Sequence, residues 1–364
     1  MGSVTDNTVP TYTIIHADGL YEDDRVEHEI FRPSKDSPEY KVNYSQVNLR
    51  PAGTTVSKPW SSIDKSLRDQ VDGITLLMLT FTAEDLKLFP RLKVLVRMGV
   101  GYDGVDRLAL AARNVTLCNV PDYGTADIAD HALALALTLR RGIALHHDLQ
   151  RASPKPAPFT AIPSPLISRL RGATFGVVGL GAIGMATALR AKAFGWDVLF
   201  FDPGVASGVE QSLGVRRTRD VKELFRQSST VSLHCPLTAQ TRGMVGDELL
   251  GLMPRGAVLV NTARGEIVDL DAVEKGLRDG RLAGAGLDVL PEEPIPEDES
   301  RVHPLLKAYR RREEWLVGRL VITPHAAWNC PESVEDVRVK SAETMRDVLI
   351  KGQRVNVIPP PPPQ

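Results

Sequence analysis

The stretch "TFGVVGLGAIGMATALRAKAFGWDVLFFDP", residues 174–203, decides the fold. It runs from an apolar segment through a glycine turn into an alanine-rich segment, then into a second apolar run that ends in an acid. Gly179, Gly181 and Gly184 fit G-x-G-x-x-G directly between a strand pattern and a helix pattern, the context in which those glycines bind a dinucleotide. The first glycine permits a tight turn, the second lets backbone approach a pyrophosphate, and the third lets helix and strand pack closely. The amides that open the helix, at Ala182 and Ile183, then meet the phosphates. Asp202 ends the second strand, where its carboxylate suits the adenosine ribose hydroxyls and repels a ribose phosphate. Pro203 and Gly204 follow with no immediate arginine, so NAD is expected over NADP.

Outward from this unit, short β-rich runs alternate with helical patterns: "YTIIH" at 12, "ITLLML" at 74, "LKVLVRM" at 92, "VTLCNV" at 115, "TVSLHC" at 230 and "AVLVN" at 257. Alternation of this kind implies parallel sheets with helical crossovers, and nearly continuous apolar strands imply helices on both faces. The fold class is therefore α/β, with a Rossmann doubly wound parallel sheet. Residues 125–151 read as one long helix, apolar on nearly all faces between Ala132 and Leu139. Such a helix is buried all round, partly against a second subunit in a homodimer or wholly inside one chain. The proline-rich 152–165 cannot continue it. The mixed-charge segment 297–319 reads as a solvated surface helix or loop, and the terminal "PPPPPQ" as extended polyproline.

The 364 residues suggest roughly two domains. A net charge of −1 gives no electrostatic reason for nucleic acid or an anionic membrane. No apolar run approaches a membrane span and no signal pattern opens the chain, so a cytoplasmic location is expected. Cys118, Cys235 and Cys330 are widely spaced and odd in number, which indicates neither a disulfide framework nor a metal site.

Three polar residues follow later strands of the glycine-loop unit: Arg264 in "VNTARG", Glu293 in "LDVLPEEP" and His325 in "ITPHAAW". That edge of an open parallel sheet is where ligands bind. Reducing a 2-keto acid requires a grip on a carboxylate, polarisation of a carbonyl and delivery of a proton as hydride arrives. Arg264 offers a rigid donor fork, and a Glu293 carboxylate beside His325 favours the imidazolium that donates the proton.

These residues, with "RMGVGYDGVD" (97–106), "CNVPDYGTADIAD" (118–130), "LHCPLT" (233–238) and "TPHAAW" (323–328), resemble the D-isomer-specific 2-hydroxyacid dehydrogenase family, most closely its C-terminal-binding-protein branch. The resemblance covers roughly residues 75–350. It implies a discontinuous flavodoxin-like α/β substrate domain, residues 1–124 and 326–364, around an NAD-binding domain, residues 125–325. It implies Arg264, Glu293 and His325 as the catalytic set, and cofactor contacts from His234, Pro236, Thr241, Thr262, Ala263, Arg264, Asp288 and His325 beside the glycine loop. Arg97 and the amides of Val100 and Gly101 would bind the substrate carboxylate with Arg264 and His325, and Trp328 would line the substrate pocket. Two functions follow: an NAD-dependent D-2-hydroxyacid dehydrogenase, or an NAD(H)-responsive transcriptional corepressor with nuclear as well as cytoplasmic residence. Val100 replaces a serine common in the corepressor branch, and the long disordered tail of animal corepressors is absent, which favours the enzyme.

Overall fold

A computed structural model describes residues 9–19, 21–35, 38–152 and 155–360. The opening "MGSVTD" and residues 361–364 of the polyproline tail lie outside the described residues. The chain divides into two compact units, one built from residues up to Gly124 and from Cys330 onward, the other from Thr125–Asn329.

The first unit holds five parallel strands: β1 (Thr11–Gly19), β2 (Lys41–Pro51), β3 (Gly73–Leu76), β4 (Val94–Arg97) and β5 (Thr116–Cys118). Their order, β2-β1-β3-β4-β5, is flavodoxin-like. β3 is buried at every position, as a strand covered on both faces must be. β2 escaped the sequence reading because it is an edge strand, polar at Lys41, Asn43, Ser45, Gln46 and Asn48, with Tyr44 and Leu49 its buried residues. The helix Pro331–Met345 is locked to the helix Arg25–Ile30 by Arg338, whose Nε and Nη2 donate to the buried Glu27 carboxylate at 2.6 and 2.7 Å.

The second unit holds seven parallel strands: β6 (Thr174–Val178), β7 (Asp197–Phe201), β8 (Arg216–Thr218), β9 (Thr230–Leu233), β10 (Ala257–Asn261), β11 (Leu282–Leu287) and β12 (Leu320–Ile322). Their order is β12-β11-β10-β9-β6-β7-β8. The chain winds outward from β6 to β8, then returns to build the other half from β9. The crevice at the carboxyl ends of β6 and β9 is therefore the topological switch point, where doubly wound sheets receive ligands.

Three expectations need correction. The long helix is two, Thr125–Arg140 and Ile143–Gln150, because Gly142 adopts a left-handed conformation (φ 62°) between them. Its apolar run is already covered within the unit: Ala132, Leu133, Leu135, Ala136 and Leu139 join a core with Phe175, Val177 and Val260. The helix thus supplies no argument for a second subunit. The segment 297–319 is not a solvated surface, since Val302, Leu305, Leu306, Ala308 and Leu316 enter the core behind β10 and β11. Its charges lie on the outer face of an amphipathic segment. Residues Ala326–Asn329 cluster with the second unit, held there by hydrogen bonds that the backbone N–H groups of Ala326 and Ala327 donate to the Asp288 carboxylate.

Candidate active site

The glycine loop is shaped by where side chains cannot go. Gly179 takes φ 91°, and a Cβ there would press into the backbone of His234 and Cys235 at the end of β9. A Cβ on Gly184 would collide with the Gly179 carbonyl oxygen, so the helix Ala182–Ala193 approaches the strand only with glycine at this point. Gly181 faces open space, and no side chain caps the helix it begins. Its first-turn amides are therefore available to an anion. Asp202 sits beside this loop, accepting from the amides of Leu180 and Gly204, both at 2.7 Å. Pro203 follows it at the exposed start of the turn.

Across the crevice His234 follows β9, with Nε2 2.8 Å from Ser232 Oγ. Burial pushes its imidazole down to about 4, so it is neutral at physiological pH. Pro236 and Thr241 close a compact turn through a 2.7 Å bond from the Thr241 hydroxyl to the Pro236 carbonyl. After β10, the Thr262 hydroxyl is buried with no hydrogen-bond partner among the described residues. An orphaned hydroxyl, an uncapped helix start and a bare Gly181 face together fit a bound dinucleotide.

The end of β10 also presents Arg264. Asn261, fully buried, folds the turn by accepting from Ala263 N at 3.0 Å and donating to the Arg264 carbonyl at 2.8 Å. The Arg264 Nη1 donates to the Ala263 carbonyl at 2.7 Å. Gly265 then meets the backbone of Leu290 and Pro291 so closely that a Cβ would not fit, which draws the Arg264 turn against the Glu293 loop.

His325 and Glu293 are in direct contact, Nδ1 to Oε2 at 2.7 Å, while Glu293 Oε1 accepts from Leu290 N at 2.7 Å. An ionised carboxylate has no proton to give, so Nδ1 carries the hydrogen. Within its unit, Nε2 has no hydrogen-bond partner among the described residues and is the nitrogen left for exchange. The His325 backbone is left-handed (φ 52°), a conformation that costs a non-glycine residue about 1–3 kcal/mol and persists only where the surroundings impose it. Trp328 contributes by donating from Nε1 to the His325 carbonyl at 2.9 Å.

Asp288, expected as a cofactor contact, also serves the histidine loop: Oδ1 accepts from Thr323 Oγ1 at 2.6 Å and Ala326 N at 2.9 Å, Oδ2 from Ala327 N at 3.0 Å. Two further residues join this cluster, Thr323 and His131, whose Nε2 lies 3.0 Å from Thr323 Oγ1. Thr323 adjoined a quoted histidine, but His131 lies 192 positions earlier and had no local signal.

In the first unit, Arg97, Val100 and Gly101 gather at the carboxyl end of β4. The Val100 carbonyl accepts from Asn119 Nδ2 at 2.8 Å, and the amides of Val100 and Gly101 have no partner within that unit among the described residues. In the same unit Asp18 is buried, its carboxyl raised above the ordinary range by desolvation although Leu77 and Met78 amides donate to it. Among the described residues, no group of three or more His, Cys, Asp or Glu side chains is placed to hold a metal, and no helix is long and apolar enough to cross a membrane.

The profile of the D-isomer specific 2-hydroxyacid dehydrogenase NAD-binding domain matches residues 133–327. The chain belongs to this family. It is 36% identical over 289 residues to a glyoxylate reductase of Korarchaeum cryptofilum, covering 79% of this chain and 80% of the relative. It is 33% identical over 278 residues to a D-3-phosphoglycerate dehydrogenase of Methanocaldococcus jannaschii, covering 76% of this chain but 49% of that longer protein. A D-lactate dehydrogenase from Aquifex aeolicus, solved with NAD and lactic acid, superimposes with a TM-score of 0.71 at 26% identity, covering 95% of this chain and 98% of that one. The second unit is thus the family's NAD-binding domain, and the parallel α/β architecture expected from the glycine loop is the architecture of the family.

Proposed function

We propose that this protein is a D-2-hydroxyacid dehydrogenase that interconverts a small 2-keto acid and its D-2-hydroxy acid, with NAD(H) preferred over NADP(H). The observation that carries the reading is the 2.7 Å contact between His325 Nδ1 and the Glu293 carboxylate at the carboxyl edge of the NAD-binding sheet. When bound, NADH supplies the hydride.

The protein's own residues manage charge and protons. Arg264 holds the substrate carboxylate and carbonyl oxygen with its guanidinium fork. The first unit, taken as the substrate domain, offers Arg97 and the amides of Val100 and Gly101, the carboxylate contacts that the family resemblance implies. His325 donates the Nε2 proton to the carbonyl oxygen in reduction and takes it back in oxidation, while Glu293 fixes the ring through Nδ1. Relatives named for glyoxylate and D-lactate, both short 2-oxo or 2-hydroxy acids, support a small substrate. The corepressor alternative has no observation of its own, because each feature shared with that branch also serves turnover.

The test is NADH oxidation across glyoxylate, pyruvate, hydroxypyruvate, phenylpyruvate and branched keto acids, with chiral analysis of the product. Turnover of at least one of them to the D-isomer is expected. No turnover of any, or an L-product, would contradict the proposal.

A further inference from the structure

His325 is held in a left-handed backbone conformation by groups that the reaction itself does not use. Its amide donates to the Asp288 carbonyl at 2.7 Å. The Asp288 side chain, 1% exposed, takes the amides of Ala326 and Ala327 and the hydroxyl of Thr323. A threonine hydroxyl has one proton. Since the carboxylate can only accept, that proton is committed to Asp288 and Thr323 Oγ1 is left as an acceptor. The group facing it is His131 Nε2 at 3.0 Å, which must be the donor and must therefore carry its hydrogen on Nε2. Nε2 also lies 3.7 Å from Asp288 Oδ1, so the three groups form one cluster between the helix Thr125–Arg140 and the histidine loop.

We propose that His131 is a positioning residue for the acid-base histidine: by donating to Thr323 it fixes the hydroxyl that, with Asp288, holds the loop 323–327 and aims the His325 ring. The inference rests on His325 being the proton carrier. Thr323 Oγ1 could otherwise rotate away from Asp288, because a hydroxyl with an unused lone pair has other rotamers open to it. With its donor and acceptor both engaged, it has one. The strain at His325 makes this matter, since a loop that stores strain relaxes when one restraint is removed. His131 lies on a different helix and reaches neither the Glu293 contact nor the glycine loop through any hydrogen bond of its own, so its removal separates aim from cofactor binding.

The experiment compares His131→Phe, His131→Gln, Thr323→Val and Thr323→Ser with wild type, using the preferred keto acid, an NADH titration, and hydrogen exchange of the peptide that contains Ala326 and Ala327. Displacements of about 1 Å at a reacting group cost up to about 10²-fold in rate, so kcat in His131→Phe and Thr323→Val should fall about 10- to 100-fold. KM and NADH affinity should stay within about twofold, and exchange at Ala326 and Ala327 should accelerate. Glutamine at 131 and serine at 323 restore the donor and the hydroxyl, and should recover most of the loss. Unchanged kcat in both disabling variants, or parallel loss of kcat, KM and NADH affinity without rescue, would overturn the proposal. If His131→Phe does not fold, Thr323→Val against Thr323→Ser still decides it. Hydrogen exchange needs no turnover: faster exchange in these variants beside an active His325→Gln would refute the acid-base reading while leaving the loop restraint intact.

Discussion

The glycine loop at 179–184 and the histidine loop at 323–328 leave the same carboxyl edge of the seven-stranded sheet. In the first, three positions lack side chains because a Cβ would meet the backbone of His234 and Cys235 at Gly179, meet the Gly179 carbonyl at Gly184, or fill the open face at Gly181. In the second, side chains converge: Glu293 on the His325 ring, Asp288 on its flanking amides, Trp328 on its carbonyl and Thr323 on Asp288. A site that receives phosphates needs bare backbone. A site that aims a proton needs every other polar group around the ring already committed.

The sharpest break of that contrast is Gly184→Val. Its Cβ would strike the Gly179 carbonyl, and NADH affinity should fall by more than about 10³-fold, or about 4 kcal/mol. Normal binding in calorimetry would show that the loop is not the cofactor cradle.

Arg264→Gln should act on the other side of the contrast. Keto-acid affinity and kcat/KM should fall by about 2–3 kcal/mol, toward the low end for a truncated charged contact, while NADH affinity holds. Equal losses in both affinities would assign Arg264 to folding rather than to substrate.

Acid should weaken the fold through histidines that burial keeps from charge. Burial pushes His16 down to about 4, with the nearby Arg338 guanidinium adding to it, and burial does the same to His234. The unfolded chain takes up protons near 6.5 that these folded rings refuse, so the stability present above that pH is lost as pH falls toward 4. His16 alone contributes about 2 kcal/mol between pH 7 and pH 5. Urea unfolding at the two values, with His16→Gln as the control that shrinks the difference, measures it. An identical difference in the variant would exclude His16 as its source.

The smallest effect is expected at Asp202. Asp202→Ala should narrow the NADH over NADPH preference by about tenfold, or about 1.4 kcal/mol, as the like charge facing a ribose phosphate is removed. A wild type that prefers NADPH in titration would remove Asp202 from its role as ribose acceptor.

How much was legible in the sequence follows from the same contrast. The glycine loop was readable because its requirements are steric and fall within six consecutive positions, and the strands on either side announced themselves as apolar runs. Arg264, Glu293 and His325 were readable as residues that follow strands. What holds them was not, since His131 and Thr323 meet only after the helix and β12 are brought together, and nothing local to Asp288 announces its bonds to Thr323 and Ala327. The edge strand β2 and the segment 297–319 were hidden for one reason: polar residues on an outer face masked the buried Leu49, Leu305 and Leu306 beneath.

The central claim is that His325 moves the proton, and His325→Gln measured in single turnover tests it most directly. The variant should fold, bind NADH with unchanged affinity and reduce the preferred keto acid about 10² to 10⁴-fold more slowly, the usual contribution of a positioned acid. Near-normal single-turnover rates in a folded, NADH-saturated variant would make the histidine a structural residue and send the proton through another group.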